Sequence, residues 1–242
     1  MLAFANNTAT TDYVGMAEKT MRMASNRLGI PYTIITSEQQ YANKRIDVDT
    51  KATVEWHNLG RWQAYQQSPY DETILLDADY LVLTDRLLQL FESPADYLLC
   101  HENTLLETQH PQHHNWLSPI WATVLFFRKS AKSEMLFEMS QRIQHNYQYY
   151  RHVFNVQERN FRNDYAFSIA DLVINGHQRL PQHRMPWGIV TADIAHPRMD
   201  INDEWLVVRS DDRAHVLPRQ DLHVMSKSWF FTQAFDRFLE AA

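Results

Sequence analysis

Apolar and polar positions follow two rhythms along this chain, and each change of rhythm marks an element. Met1 to Ala5 is a wholly apolar start, ended by Asn6-Asn7-Thr8, and predicts a strand. From Thr11 or Asp12 to Leu28, apolar residues recur at Tyr13, Met16, Ala17, Met21, Ala24 and Leu28. That spacing, with a capping residue in front and Gly29 behind, predicts a helix. Ile30 to Thr36 predicts a second strand. Strand, helix and strand together make a βαβ unit at the N-terminus.

Glu38 to Lys51 is polar and predicts a loop. Val54 to Gln67 carries Trp56, Leu59, Trp62 and Tyr65 at helical spacing and stops at Ser68-Pro69. An apolar strand at Thr73 to Leu76 follows, then a short helix at Arg86 to Phe91 and a strand at Asp96 to Cys100. Glu107 to Trp116 is polar and His-rich, which predicts a mobile loop. Ile120 to Arg128 predicts a strongly apolar strand, and Ser130 to Tyr150 a long amphipathic helix with Leu136, Met139, Ile143, Tyr147 and Tyr150 on one face. A helix over Asn163 to Asn175 is closed by Gly176. Strands at Trp187 to Asp193 and Leu206 to Val208 precede a closing helix with Phe231, Ala234, Phe235 and Phe238. Neither a repeat nor a linker interrupts the pattern, so one mixed α/β domain is expected.

The run Thr73-Ile74-Leu75-Leu76-Asp77-Ala78-Asp79-Tyr80 is the most informative in the chain. Four consecutive apolar residues read as a strand buried on both faces, as in a parallel sheet covered by helices. Alternation along the strand would send Asp77 and Asp79 to the same side at its carboxyl end. Open α/β sheets bind ligands at that end. Two carboxylates there repel unless a cation joins them. A divalent metal serving a phosphate-bearing substrate explains the pair economically; two polar residues closing a strand at a turn is the plainer alternative.

Composition narrows the field. The chain has 242 residues, 45% hydrophobic and 21% charged, as in an ordinary globular protein. With 5 glycines and no Gly-rich phosphate motif, phosphates must be held by metal, basic side chains or ordinary amides. A net charge of −6 disfavours a general nucleic-acid binder. The lone Cys100 suits a reducing compartment, and no apolar run reaches the roughly 18–20 residues of a membrane span. A soluble, cytoplasmic protein is expected.

These residues resemble the GT-A-fold glycosyltransferases that use nucleotide sugars. The βαβ start followed by a strand ending Asp77-Ala78-Asp79 carries the likeness. Further stretches are similar to glycosyltransferase-like proteins of tailed phages: Trp121 to Lys129, Phe161 to Ala170, and His223-Val224-Met225-Ser226-Lys227. The resemblance implies a Rossmann-like, mostly parallel central sheet flanked by helices. It assigns residues 1–100 to a nucleotide-binding half and 101–242 to an acceptor-side half.

It also implies roles. Asp79 is the main ligand of Mn²⁺ (or Mg²⁺), Asp77 touches metal or ribose, and His223 is the third ligand. His223 also has its own case, as a polar residue breaking into an apolar stretch, with Lys227 four residues on, where an ammonium could reach the diphosphate as a point charge. His223 otherwise reads as a hydrogen-bonded histidine at a strand end. Arg61 is either a donor-contacting cation, as the resemblance implies, or a solvated helix arginine. Phe4, Ala5, Asn6 and Asn7 close the first strand where base and ribose should lie. Tyr13 either stacks on the base or belongs to the core. Asp164 opens a helix as a capping carboxylate, or meets donor-sugar hydroxyls, or serves as a general base in an inverting enzyme.

His110, His113 and His114 have H-x-x-H spacing but lie in a Gln/Pro/Asn-rich stretch, which favours a lid or acceptor loop over zinc. Trp116 and Trp187 are either core residues or stacking platforms. The expected activity is metal-dependent sugar transfer from a nucleoside-diphosphate sugar to a modified DNA base or a glycan. A DNA acceptor would call on a basic groove of Arg128, Lys129, Lys132 and Arg162. Two alternatives remain: a nucleotidyltransferase-like phosphoryl-transfer enzyme, which usually carries a Gly- or Lys-rich loop where this chain has Asn6 to Thr10, and a non-catalytic nucleotide-sugar-binding module.

Overall fold

The computed structural model describes residues 1–7, 11–36, 60–107, 117, 120–194 and 196–242, together with the backbone of 43–46 and 53–56. The chain opens with β1 (Leu2–Phe4), α1 (Tyr13–Leu28) and β2 (Thr33–Ile35). A hairpin of β3 (Asn43–Ile46) and β4 (Thr53–Trp56) precedes the short α2 (Ala64–Gln67). Next come β5 (Glu72–Leu76), β6 (Tyr80–Leu81), β7 (Tyr97–Cys100), β8 (Asn103–Leu106) and β9 (Trp121–Arg128). Helices α3 (Ala131–His145), α4 (Tyr147–Val153) and α5 (Asn163–Ile174) follow. The chain ends with β10 (Ile189–Ala192), β11 (Arg198–Ile201), β12 (Trp205–Arg209), β13 (Ala214–Pro218), β14 (Leu222–Val224) and α6 (Gln233–Ala241).

The βαβ start forms as the sequence predicts. Asp12 caps α1 by accepting from Gly15 N at 2.9 Å. Gly29 ends it at φ +67°, a left-handed conformation that suits glycine. The central sheet runs β2-β1-β5-β9-β7. Strands β2, β1, β5 and β7 point one way and β9 alone runs against them. Both faces of β5 are covered. Leu75 packs with Leu136, Phe137 and Phe167 of α3 and α5, while Ile74 and Leu76 pack with Met21, Ala24 and Leu28 of α1. The expected mostly parallel α/β sheet flanked by helices is present.

A second sheet, β6-β14-β10-β8, positions the site. It inserts β14, from the end of the chain, beside β6, which follows Asp79 directly. The antiparallel sheet β11-β12-β13 supplies Met199, Leu206 and Val208 to a cluster with Trp229, Phe235 and Phe238.

Several elements differ from expectation. Thr53–Trp56 is a strand paired with Asn43–Ile46, so no helix spans Val54 to Gln67 and the stretch read as loop contains β3. Among the described residues of this stretch, helical structure starts with a 3₁₀ turn at Arg61–Gln63. Thr53 and Val54 are β-branched, and pairing across the hairpin is a non-local gain that helical spacing does not register. The helix expected over Ser130 to Tyr150 breaks at Asn146, whose side-chain amide donates to Arg142 O at 3.0 Å. Phe231 lies in a 3₁₀ turn, and α6 starts afterwards, capped by Thr232. No helix among the described residues is long and apolar enough to cross a membrane.

Candidate metal and nucleotide site

β5 stops at Leu76, so Asp77 and Asp79 sit in a turn and not both on the strand as alternation suggested. Asp77 N donates to Thr123 O on β9 at 2.9 Å, and Tyr80 N returns to Asp77 O at 3.1 Å. Two remote contacts set the turn. Thr20 of α1 donates its hydroxyl to Ala78 O at 2.9 Å, and Val224 N of β14 donates to Asp79 O at 3.0 Å. Folded this way, the turn still aims both carboxylates to one side.

β14 brings His223 to them. Ligand atoms of Asp77, Asp79 and His223 all lie within 4.8 Å of one another. His223 Nε2 is 3.5 Å from Asp79 Oδ1, and Lys227 Nζ is 3.0 Å from Asp79 Oδ2. Asp79 and His223 are buried, at 4% and 8% exposure, whereas the Lys227 side chain is half-exposed. Upstream, Asp221 is wholly buried and fastens the entry to β14. It accepts from Leu83 N and Thr84 N, each at 2.8 Å, from the Thr84 hydroxyl at 2.9 Å, and from Arg86 Nε at 3.3 Å.

Charge balance in this cluster is tight. Burial alone would raise the Asp79 carboxyl, but Lys227 and His223 together hold it well below the usual carboxylate range. Burial pulls His223 down, yet the facing Asp79 lifts its net value above 6.5. Asp79 likewise raises the Lys227 ammonium. Two carboxylates thus hold a proton on the imidazole where a cation would otherwise serve. Two hard oxygens and one imidazole suit Mn²⁺ well, and Mg²⁺ through the carboxylates.

Arg61 is 1% exposed, which removes the solvated-arginine reading. Its NH1 meets Asp77 Oδ1 at 2.5 Å and its NH2 meets Thr123 O at 3.4 Å. Asp164 reaches the neighbouring residue: it accepts from Ala122 N at 2.9 Å and from Arg162 through Nε at 3.0 Å and NH2 at 2.5 Å. Phe4, Ala5 and Asn6 lie at the carboxyl end of β1, which pairs with β5 beside Asp77. Asn7 Oδ1 accepts from Val14 N at 2.8 Å. Tyr13 is half-buried and edge-on to Phe231 at 6.1 Å.

Three of the four residues expected to line a basic groove, Arg128, Lys129 and Arg162, are engaged within the fold. Glu72 pairs with Arg128, and Asp77 bonds to Thr123, so Arg128 and the site lie at opposite ends of the β5–β9 ladder. Arg128 is spent on Glu72 and on the carbonyls of Phe91, Ser93 and Ala95. Lys129 donates to Tyr65 O and stands 4.5 Å over the Tyr65 ring, while Arg162 is committed to Asp164. Trp187 packs against the core under Arg86, whose guanidinium is 4.9 Å from its ring. His110, His113, His114 and Trp116 lie outside the described residues.

No protein-family model and no curated protein matches the chain. Solved structures similar to it include glycosyltransferases. Galactosyltransferase LgtC in complex with donor and acceptor sugar analogs has a TM-score of 0.49 at 11% identity, over 99% of this chain and 94% of that one. A glycosyltransferase involved in glycosylation of the major capsid of PBCV-1 has a TM-score of 0.42 at 12% identity, over 100% and 99%. Glycosyltransferase GlyE of Streptococcus pneumoniae TIGR4 has a TM-score of 0.37 at 13% identity, over 76% and 44%. At such low identity, function has to be read from the side chains themselves.

Sequence reasoning missed Thr20, Thr123, Thr191 and Asp221, which hold the site residues in place. Only Asp221 carried a signal, as a carboxylate two positions before His223 at the edge of an apolar run.

Proposed function

We propose that the chain is a glycosyltransferase that moves a sugar from a nucleoside-diphosphate donor, with a divalent cation held by Asp77, Asp79 and His223. The convergence of those three side chains, with Lys227 beside them, is the observation that carries this reading. A bound Mn²⁺ or Mg²⁺ would supply positive charge against the diphosphate as it leaves the anomeric carbon. Lys227 is half-exposed and 3.0 Å from Asp79, so its ammonium can turn from the carboxylate to a phosphate oxygen. Arg61 orients the Asp77 carboxylate and adds positive charge behind it.

Phe4, Ala5, Asn6 and Tyr13, at the head of β1 and the start of α1, form the side on which base and ribose would rest. Asp164, paired with Arg162, fits a role as an acceptor for donor-sugar hydroxyls better than that of a free general base. Within a single domain, the first hundred residues would then serve the nucleotide and the remainder the acceptor. Arg128 and Arg162 are internally paired, which favours a glycan acceptor over DNA.

The test is a thermal-shift panel of nucleoside diphosphates and their sugars, with and without Mn²⁺. A donor that binds only the folded state raises the melting temperature. One nucleotide sugar should do so strongly, and only with metal. If none gives a metal-linked shift, the reading fails.

A further inference from the structure

Asp79 is flanked by two peptide units, and a different element holds each. The unit that follows it is held by β14, where Val224 N donates to Asp79 O at 3.0 Å. The unit that precedes it is held by α1, where the Thr20 hydroxyl donates to Ala78 O at 2.9 Å. Thr20 is 1% exposed, so water does not compete for its proton. Its oxygen also lies 3.1 Å from Ala17 O and 3.3 Å from Met16 O, but both carbonyls belong to α1, whose ladder already supplies each with an amide. Ala78 lies in the turn, and no backbone amide among the described residues is bonded to its oxygen. A hydroxyl has one proton to give, and here the shortest contact and the unmet acceptor coincide at Ala78.

Peptide units are planar, so the direction of a Cα–Cβ bond is settled once both flanking planes are held. We propose that Thr20 is the positioning residue that aims the Asp79 carboxylate at Asp77 and His223, by holding the plane between Ala78 and Asp79. This rests on the metal-site reading above and extends it into the middle of α1. On the other side, β14 carries His223 next to Val224, so its hold on Asp79 O already joins two of the three ligands. The Thr20 bond removes the freedom that remains. Without the hydroxyl, the half-buried Ala78 would turn its carbonyl toward water and swing Asp79 with it.

Two readouts test this on the full-length chain. The first is direct Mn²⁺ binding without nucleotide, followed by electron paramagnetic resonance. The second is amide hydrogen exchange of the metal-free protein at Tyr80 and Val224, whose N–H groups bond Asp77 O and Asp79 O. Thr20→Val keeps the side-chain shape and the helix propensity but removes the donor. It should bind Mn²⁺ about 10- to 100-fold more weakly and lose protection at both amides. Thr20→Ser, which keeps the hydroxyl, should bind and exchange as the wild type does. Thr73→Val removes another buried hydroxyl, one that meets the Ser68 hydroxyl at 2.6 Å near the opposite end of β5, and should leave both readouts unchanged. Wild-type affinity and exchange in Thr20→Val would overturn the proposal. Equal losses in Thr73→Val would overturn it too, because they would mark a general loosening of the fold. If the wild type binds no Mn²⁺, the metal reading falls, and the exchange comparison still decides whether Thr20 holds the turn.

Discussion

His223 Nε2 lies 3.5 Å from Asp79 Oδ1, although the two residues come from distant parts of the chain. The contact exists because β14 lies between β6 and β10, and because Val224 N bonds the Asp79 carbonyl. Side-chain and main-chain links thus join the same two segments.

Asp79→Ala should abolish metal-linked donor binding and lower transfer or donor hydrolysis by about 10²-fold or more. Calorimetry with Mn²⁺ and the donor found by the panel checks the binding. Retention of metal-linked binding would remove Asp79 from the site.

Stability should depend on pH through His223. Its value is raised in the folded state, so its proton stabilises the metal-free protein fully below pH 6.5. That contribution is lost as pH rises through the elevated folded value. In the presence of EDTA, melting temperature should therefore fall over this window, and His223→Gln should flatten the fall. Mn²⁺ should replace the proton, so its affinity should rise over the same window. Asp79 acts in the opposite direction. Its depressed carboxyl stabilises the fold above its ordinary 3.8 and ceases to do so as pH falls through the lower folded value.

Asp221→Ala should destabilise the protein by on the order of 3 kcal/mol, because two backbone amides and Arg86 lose a buried acceptor. Asp221→Asn should lose less, since its carbonyl still accepts. Chemical denaturation measures both, and equal losses would show that the acceptor is not what matters.

Gly188→Ala tests the sheet behind the site. A Cβ there would stand 2.7 Å from Glu102 Cβ and 2.8 Å from Glu102 O, where Ile189 N bonds that same carbonyl. A cost of about 1–3 kcal/mol is expected, with weakened Mn²⁺ binding as β8 and β10 shift. An unchanged melting curve would show that the strands yield freely.

The parts legible from sequence were those governed by local rules. Asp12 and Gly29 bound α1, and the apolar run of β5 announces a strand covered on both faces. Asp77, Asp79 and His223 stand out because charged or metal-binding groups interrupt apolar stretches. What depends on distant partners was hidden. The 77–80 turn is set by Thr20 and Val224, and β4 by its pairing with β3. Thr191 is a neutral polar residue with no chemical flag, so its contact with His223 emerges only when β10 and β14 lie side by side.

The insertion of β14 also governs how the molecule reaches its native state. A contact between Asp79 and His223 closes a very long loop of chain, and such closures come late because their entropy must be met before they stabilise anything. An ion gripped by both residues works as a reversible staple across that loop, opposing separation of β14 from β6. Metal should therefore slow unfolding more than it speeds refolding, and protect the amides of β14 from hydrogen exchange ahead of those in the central sheet.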